Sequence, residues 1–211
     1  MTITKFGHSC LLIEEAELRA LIDPGIYSTG QNEVKNVDLV LITHEHPDHC
    51  DIGSLKTILR NNPGVKIITN RSVGAMLDKE GITCVFVENG EHFSLKGVLI
   101  EGIGKDHAIM HSSIPPIKNV GYCIANRFFY PGDALTNPGK PVEILALPVA
   151  APWSKLPEVI DYALSVKPKI CFPAHDAILK APGSVHRIPG QVLPTKGIQF
   201  FIPEIGKSYT F

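Results

Sequence analysis

Three histidines and an aspartate lie together in the segment Thr43-His44-Glu45-His46-Pro47-Asp48-His49. Imidazole and carboxylate groups are the ligands that zinc and other transition metals take in proteins. Burying these side chains as ordinary core would be costly without partners, and a chance HxHxDH pattern is expected in fewer than about one in a thousand such sequences. The spacing therefore predicts a metal site, in which His44 and His46 bind one ion while Asp48 and His49 bind a second.

The residues around this segment place it at the end of a buried strand. Val37–Thr43 is a near-continuous apolar run, which is typical of a strand buried on both faces. Pro47 keeps His46 out of the helical conformation, so the segment is predicted to be a loop. Loops at the carboxyl ends of strands are where α/β folds present ligands and substrates.

A site for two ions needs more ligands than this loop supplies. Asp133 follows a predicted strand at a glycine turn, which suits a bridging carboxylate, and His175 also follows a predicted strand. For the third histidine of the first ion the sequence leaves two candidates, His107 and His111. We prefer His107 because it lies closer to the end of the predicted strand Val98–Ile103.

The rest of the chain alternates between strands and helices. Helices are predicted at Ile52–Asn61, at Ser72–Glu80 with Ser72 as the N-cap, and at Lys155–Val166 with Ser154 as the N-cap. The other predicted strands are Ile3–Phe6, Cys10–Ile13, Leu18–Ile22, Val65–Thr69, Thr83–Val87, His92–Leu95, Gly121–Ala125, Phe128–Tyr130, Glu143–Leu147, Lys169–Phe172 and a last one near Gln199–Ile202. Both halves place strands first and helices later. We therefore predict an α/β fold, a four-layer α/β/β/α sandwich that forms one domain over residues 1–211.

Composition narrows the classes of function. Twenty Lys and Arg against 21 Asp and Glu give a net charge of −1, which disfavours a role in coating nucleic acid. The five cysteines form no CxxC pair, so neither a disulfide framework nor a cysteine-rich zinc site is predicted. No signal-peptide pattern and no apolar run of about 18 residues is visible. We expect a cytoplasmic protein with a small-molecule substrate and no membrane partner, and nothing in the sequence predicts an oligomeric state.

The ordered set of THEHPDH, His107, the GD at Asp133 and the PAH at His175 resembles the metallo-β-lactamase fold superfamily of metallohydrolases. The segments Gly7-His8-Ser9-Cys10 and Leu21-Ile22-Asp23-Pro24-Gly25 are similar to its small cytoplasmic branch, which is related to ascorbate-6-phosphate lactonase. The resemblance implies a full set of ligands. They are His44, His46 and His107 for the first ion, Asp48, His49 and His175 for the second, and Asp133 as the bridge.

The resemblance also implies the chemistry. Two divalent ions would activate water for attack on an ester, lactone or phosphodiester of a small molecule. The ions would be zinc, or manganese or iron instead. Asp48 and Asp133 would be the catalytic carboxylates. Asp23 would orient a ligand imidazole without binding an ion itself, and His8 would line the pocket. Two alternatives are an RNA or nucleotide phosphodiesterase of the same superfamily and a metal-binding module without catalysis.

Five other residues are given simpler roles. We expect Trp153 to be a packing residue at the pocket edge and Cys50 to be a small buried thiol. His186 and Arg187 are placed in a late loop that an anionic substrate could reach. His92 is expected on a solvated strand edge.

Overall fold

Two mixed sheets of seven strands each form the centre of the protein. The structure is a computed structural model that describes residues 1–211. Along the first sheet the order is β14-β1-β2-β3-β4-β5-β6, with bounds Ser208–Thr210, Thr2–Gly7, Cys10–Glu15, Leu18–Ile22, Leu39–Leu41, Lys66–Thr69 and Val85–Phe86. Along the second the order is β13-β12-β11-β10-β9-β8-β7, with bounds Gln199–Phe200, Ile170–Ala174, Ile144–Pro148, Phe128–Tyr130, Gly121–Ile124, Val98–Ile103 and His92–Leu95.

Four helices cover the outer faces of the sheets. They are α1 (Ile52–Asn61), α2 (Arg71–Lys79), α3 (Leu156–Val166) and α4 (Gly183–Val192). The first two pack on the first sheet through Leu55 and Leu77, and α3 packs on the second sheet through residues such as Val159. The predicted four-layer sandwich is therefore confirmed. None of the helices combines the length and the apolar character that crossing a bilayer requires.

Side chains of β4 alternate between two hydrophobic cores. Leu39 and Leu41 point into the core between the two sheets, where they join Tyr122 and Phe172 from the second sheet. Val40 points the other way, into the core beneath α1 and α2. Because both faces of β4 are covered, its end is held firmly, and the histidine segment begins directly after it.

Two predicted helix caps differ from the structure. Asn70, and not Ser72, is the N-cap of α2, and its side chain accepts a hydrogen bond from the amide of Val73. Ser72 instead donates to the carboxylate of Glu45. Lys155 stands at the N-cap of α3 without a side-chain cap, because Ser154 closes a turn with Ala151.

Asn70 also connects the start of α2 to the histidine segment, since its amide nitrogen donates to the carbonyl of Thr43 at 2.9 Å. We expect Asn70→Ala to lower the free energy of unfolding by about 1–2 kcal/mol, since an N-cap and a buried hydrogen bond are lost. Ser72→Ala should cost less, because it leaves the cap in place. Urea unfolding of both variants measures the loss in the free energy of unfolding. An equal loss in the two variants would indicate that Ser72 is the N-cap.

The tail contains two elements that the sequence pattern does not reveal. Helix α4 carries Pro189 in its interior and begins at a glycine, which are both features of sequences that do not form helices alone. It forms because Val185, Ile188 and Val192 pack against the core of the second sheet. His186 and Arg187 therefore lie in a helix and not in a loop. Strand β14 is three residues long and exists through its pairing with β1.

Candidate metal centre

Loops that follow four different strands bring the predicted ligands to one end of the sandwich. The histidine segment follows β4 in the first sheet, whereas His107, Asp133 and His175 follow β8, β10 and β12 in the second. A backbone hydrogen bond from Val120 to the carbonyl of Thr43 joins the second sheet to the histidine segment, and one from Ala108 to the carbonyl of Asp133 joins two loops of the second sheet. Glycine is required at position 132, where φ is +68° and an added Cβ would lie 2.2 Å from an oxygen of Asn119.

Two groups of side chains at this end have the composition of metal sites. One consists of His44, His46, His107 and Asp133, and the other of His8, Asp48, His49 and His175. Within each group the candidate ligand atoms lie within 4.8 Å of one another. All seven predicted ligands are therefore brought together, and His8 joins them.

Asp133 lies between the two groups. One of its oxygens is 3.2 Å from Nε2 of His49, and the other is 3.0 Å from Nε2 of His175 and 3.4 Å from Nε2 of His107. Asp48 is placed similarly at the second group, 3.5 Å and 3.6 Å from Nε2 of His175 and His49. A carboxylate in the position of Asp133 can contact ions in both groups at once.

The ring nitrogens on the far side of these imidazoles have partners. Nδ1 of His107 lies 2.6 Å from the carbonyl of Ala108, and Nδ1 of His175 lies 2.5 Å from that of Ala150. A carbonyl can only accept, so each Nδ1 carries the proton and each Nε2 is left facing the centre. The buried Nε2 atoms of His49, His107 and His175, and one oxygen of Asp133, have no hydrogen-bond partner. Buried polar atoms are rarely left unpaired in proteins, so this convergence of unpaired nitrogen and oxygen atoms fits bound cations.

Asp23 supports both groups from behind. It is fully buried, it accepts from the amide and the hydroxyl of Thr43 at 2.8 Å and 2.7 Å, and it accepts from Nδ1 of His49 at 2.7 Å. The same Thr43 hydroxyl lies 3.0 Å from Nδ1 of His44. Asp23 thus orients His49 directly and His44 through Thr43.

The two groups differ in their electrostatics. In the first, burial lowers the pKa of His44 and of His46, and neighbouring histidines lower them further. In the second, burial opposes protonation, but the carboxylates of Asp133 and Asp23 outweigh it and raise the pKa of His49 to about 10. Asp133 and Asp48 likewise raise the pKa of His175 to about 9 against the effect of burial.

These pKa values predict proton release on metal binding. In the metal-free protein at neutral pH, His49 and His175 carry protons that a cation must displace, whereas His44 and His46 are neutral. The affinity of the second group should therefore rise with pH up to about 9–10, and that of the first group should change less. Zinc titrations of the metal-free protein in weakly buffered solution at several pH values measure both effects. Two binding events with the same pH dependence would contradict this assignment.

His8 holds Asp48 in place. The amide of Ala177 donates to Nδ1 of His8 at 3.3 Å, so the proton is on Nε2, which lies 3.1 Å from the carboxylate of Asp48. The lone pair on Nδ1 of His8 then accepts the hydrogen bond from Ala177, and Nε2 carries the proton. In this tautomer His8 positions the carboxylate of Asp48 and does not bind an ion. The backbone of His8 has φ of +41°, an unfavourable value for a residue with a side chain. In the sequence, the Gly-His-Ser segment at the end of β1 is what indicates a role for His8 at the site.

Trp153 contacts the same carboxylate that lies between the groups. Its indole N–H donates to Asp133 at 3.0 Å, and its ring lies against His107. It therefore does more than pack at the pocket edge.

We expect Trp153→Phe to lower metal affinity by about tenfold, because an aromatic side chain remains but the hydrogen bond that orients Asp133 is lost. Competition with a chelator measures the affinity, and circular dichroism checks that the fold is unchanged. An affinity equal to that of the wild type would limit Trp153 to packing.

Other candidates lie apart from the two groups. His111 is exposed and its ring contacts Ser113, so it is not brought to the centre as His107 is. His186 contacts Asp176 at 2.8 Å, and His92 is exposed on β7, an edge strand. Burial raises the pKa of the Cys50 thiol to about 12, so this thiol stays protonated and unreactive.

The family model described as the beta-lactamase superfamily domain matches residues 2–175 of the chain. The chain belongs to this superfamily. The matched residues run from β1 to His175 and so include all seven candidate ligands.

The chain is also similar to individual known proteins. A protein of Mycobacterium tuberculosis is 39% identical over 184 residues, which is 85% of each chain. A UPF0173 metal-dependent hydrolase of Thermoplasma acidophilum is 23% identical over 95% of this chain and 94% of its own. Among solved structures, one described as a candidate metal-dependent hydrolase of Parabacteroides distasonis superposes with a TM-score of 0.78 at 22% identity, covering 96% of this chain and 92% of that one. This structural likeness shows the shared metallo-β-lactamase fold.

Proposed function

We propose that the protein is a metal-dependent hydrolase that holds two divalent ions and hydrolyses an ester, lactone or phosphodiester of a small molecule. The first ion is assigned to His44, His46 and His107, and the second to Asp48, His49 and His175, with Asp133 as the bridge. The histidine and carboxylate donors suit zinc, and they also accept manganese or iron.

One observation carries the proposal. The unpaired Nε2 atoms of His49, His107 and His175 converge with an unpaired oxygen of Asp133 in a buried centre. Protein carbonyls or carboxylates hold the opposite nitrogen of each ring, which fixes the lone pairs toward the centre. Support of this kind is typical of metal ligands and is unnecessary for histidines that only fill a core. The names of relatives such as the Thermoplasma acidophilum protein also indicate hydrolysis.

Bound divalent ions would supply Lewis acidity, which lowers the pKa of water and polarises a substrate oxygen. The side chains of this chain then control geometry and protons. Asp48 is partly exposed, and His8 orients it at the mouth of the centre, so it can accept a proton from the attacking water. The indole N–H of Trp153 donates to the carboxylate of Asp133, and the backbone amide of Asp133 donates to Oδ1 of Asn119, so both the side chain and the backbone of Asp133 are held in place.

The proposal is tested by metal analysis joined to a substrate screen. Wild type, Asp48→Ala and the surface control Asp106→Ala are assayed for bound metal and for hydrolysis of a panel of carboxylic esters, lactones and phosphodiesters. We expect two ions per chain and hydrolysis in the wild type and the control, and in Asp48→Ala the loss of one ion and of most activity.

Two results would contradict the proposal. Less than one ion per chain together with no hydrolysis anywhere in the panel would overturn the enzyme function. Full hydrolysis by Asp48→Ala would overturn the role of Asp48.

A further inference from the structure

Large apolar side chains surround the candidate metal centre. A cavity of about 300 Å³ opens onto His46, Asp48, His107, Asp133 and His175. Its remaining wall contains Ile26, Tyr27, Met110 and Ile178, which are all exposed, together with Pro152 and Trp153. Isolated exposed apolar residues are common on proteins, but several on one cavity wall indicate a ligand site.

A second apolar cavity lies beside the first. It has a volume of about 200 Å³ and is lined by the loop that follows His107, including Ile109, Ile114 and Pro115. His46, His107 and Met110 line both cavities, so the two meet at the metal centre. The combined space resembles ligand pockets of small molecules, which are concave and mostly apolar with a few polar groups at one end.

Neither cavity is lined by a lysine or an arginine. Their only carboxylates are Asp48 and Asp133, which belong to the metal centre. Proteins that bind phosphate groups use cationic side chains or helix N-termini against the negative charge. Lys105 and Lys118 line a different, polar cavity, and Lys5 is buried against Asp176. Beyond the centre itself, the walls offer a phosphate group only the hydroxyls of Tyr27 and Ser112 and the imidazole of His111, and no fixed positive charge.

We infer that the substrate is an uncharged carboxylic ester, open-chain or cyclic, that carries an aliphatic chain. This inference rests on the proposed hydrolase function and narrows its substrate class. The carbonyl lies at the metal centre, and the aliphatic chain extends over Met110 toward Ile114. Water adds its oxygen to the acyl carbon, the bond from that carbon to the ester oxygen breaks, and a proton of the water passes to the departing oxygen. An open-chain ester and one water thus give one carboxylic acid and one alcohol, and a cyclic ester and one water give one hydroxy acid.

The inference is tested with p-nitrophenyl acetate, butyrate and octanoate, and with bis(p-nitrophenyl) phosphate as the charged comparison. Each buried CH₂ group should raise kcat/KM by about fourfold in the wild type. Ile114→Ser should reduce the ratio of octanoate to acetate hydrolysis by about tenfold or more. Ile205→Ser is the matched control, because Ile205 is 55% exposed against 52% for Ile114 and lines neither cavity. Its ratio should equal that of the wild type.

Binding provides a readout that does not depend on turnover. Trp153 is the single tryptophan of the chain and lines the first cavity, so its fluorescence reports on occupancy. Octanamide, which is uncharged, should change this fluorescence at concentrations where acetamide and inorganic phosphate do not.

The outcomes separate the inference from the function on which it rests. Preference for the phosphodiester, or rates that do not depend on chain length, would overturn the inference and leave a hydrolase. No hydrolysis of any substrate by protein that holds two ions would overturn the proposed function itself. Fluorescence that responds to phosphate and not to octanamide would overturn the apolar assignment independently of activity.

Discussion

Replacing Asp133 with asparagine is expected to remove at least one bound ion and to lower kcat/KM by more than about 100-fold. Substitutions outside the ligands of a metal site already cost about 10–100-fold in affinity or activity. Asp133 is buried between the two groups, with its oxygens 3.0 Å from His175, 3.2 Å from His49 and 3.4 Å from His107. An amide keeps the size of the side chain but removes its charge and one acceptor oxygen.

A second readout of Asp133→Asn needs no metal. The carboxylate is a principal reason why the pKa values of His49 and His175 are raised, so both should fall in the metal-free variant. NMR titration of the imidazoles measures this shift. Asp106→Asn is the matched control, since Asp106 is exposed, precedes His107 and pairs with Lys118 at 2.7 Å. Two tightly bound ions and full activity in Asp133→Asn would contradict the bridging assignment.

Replacing Asp23 with asparagine is expected to lower both metal affinity and stability, although Asp23 faces no ion. Its carboxylate accepts from Thr43 and from His49 in a fully buried position. Removing one partner of a buried charged pair costs about 3–5 kcal/mol. Loss of the group that orients a ligand imidazole costs about 10–100-fold in metal affinity. Urea unfolding and chelator competition measure the two effects.

Two comparisons make the test of Asp23 specific. Asp38→Asn serves as the control, because Asp38 also accepts from a backbone amide of the neighbouring strand, at 2.9 Å from Arg19, but lies away from the centre. Thr43→Val removes the hydroxyl that lies 3.0 Å from Nδ1 of His44 and 3.5 Å from Nδ1 of His49, but it leaves the hydrogen bond between Asp23 and His49, so it should weaken mainly the first group. Unchanged affinity and stability in Asp23→Asn would show that the carboxylate does not support the ligands.

Much of the fold follows from local pattern. The helix at Ile52–Asn61 and the strands at Leu18–Ile22, His92–Leu95, Val98–Ile103 and Phe128–Tyr130 have the predicted bounds. Their apolar spacing and flanking turns match the period of each element, so no distant contact is needed to recognise them. Where an element depends on distant packing, as α4 does, its sequence pattern alone is too weak to reveal it.

The sequence by itself determined the fold class and the set of candidate metal ligands. The HxHxDH motif follows a buried apolar strand, and a later His, Asp and His each follow another strand. Because this architecture presents side chains at strand ends, these residues are expected to meet at one site. The tertiary structure decided which groups face one another. It places His107 and not His111 at the candidate centre, brings His8 to Asp48 and Trp153 to Asp133 as hydrogen-bond partners, and gathers apolar side chains around the candidate metal centre. These contacts join residues far apart in the chain, and neither residue type nor spacing encodes which distant partner a side chain meets once the two sheets pack.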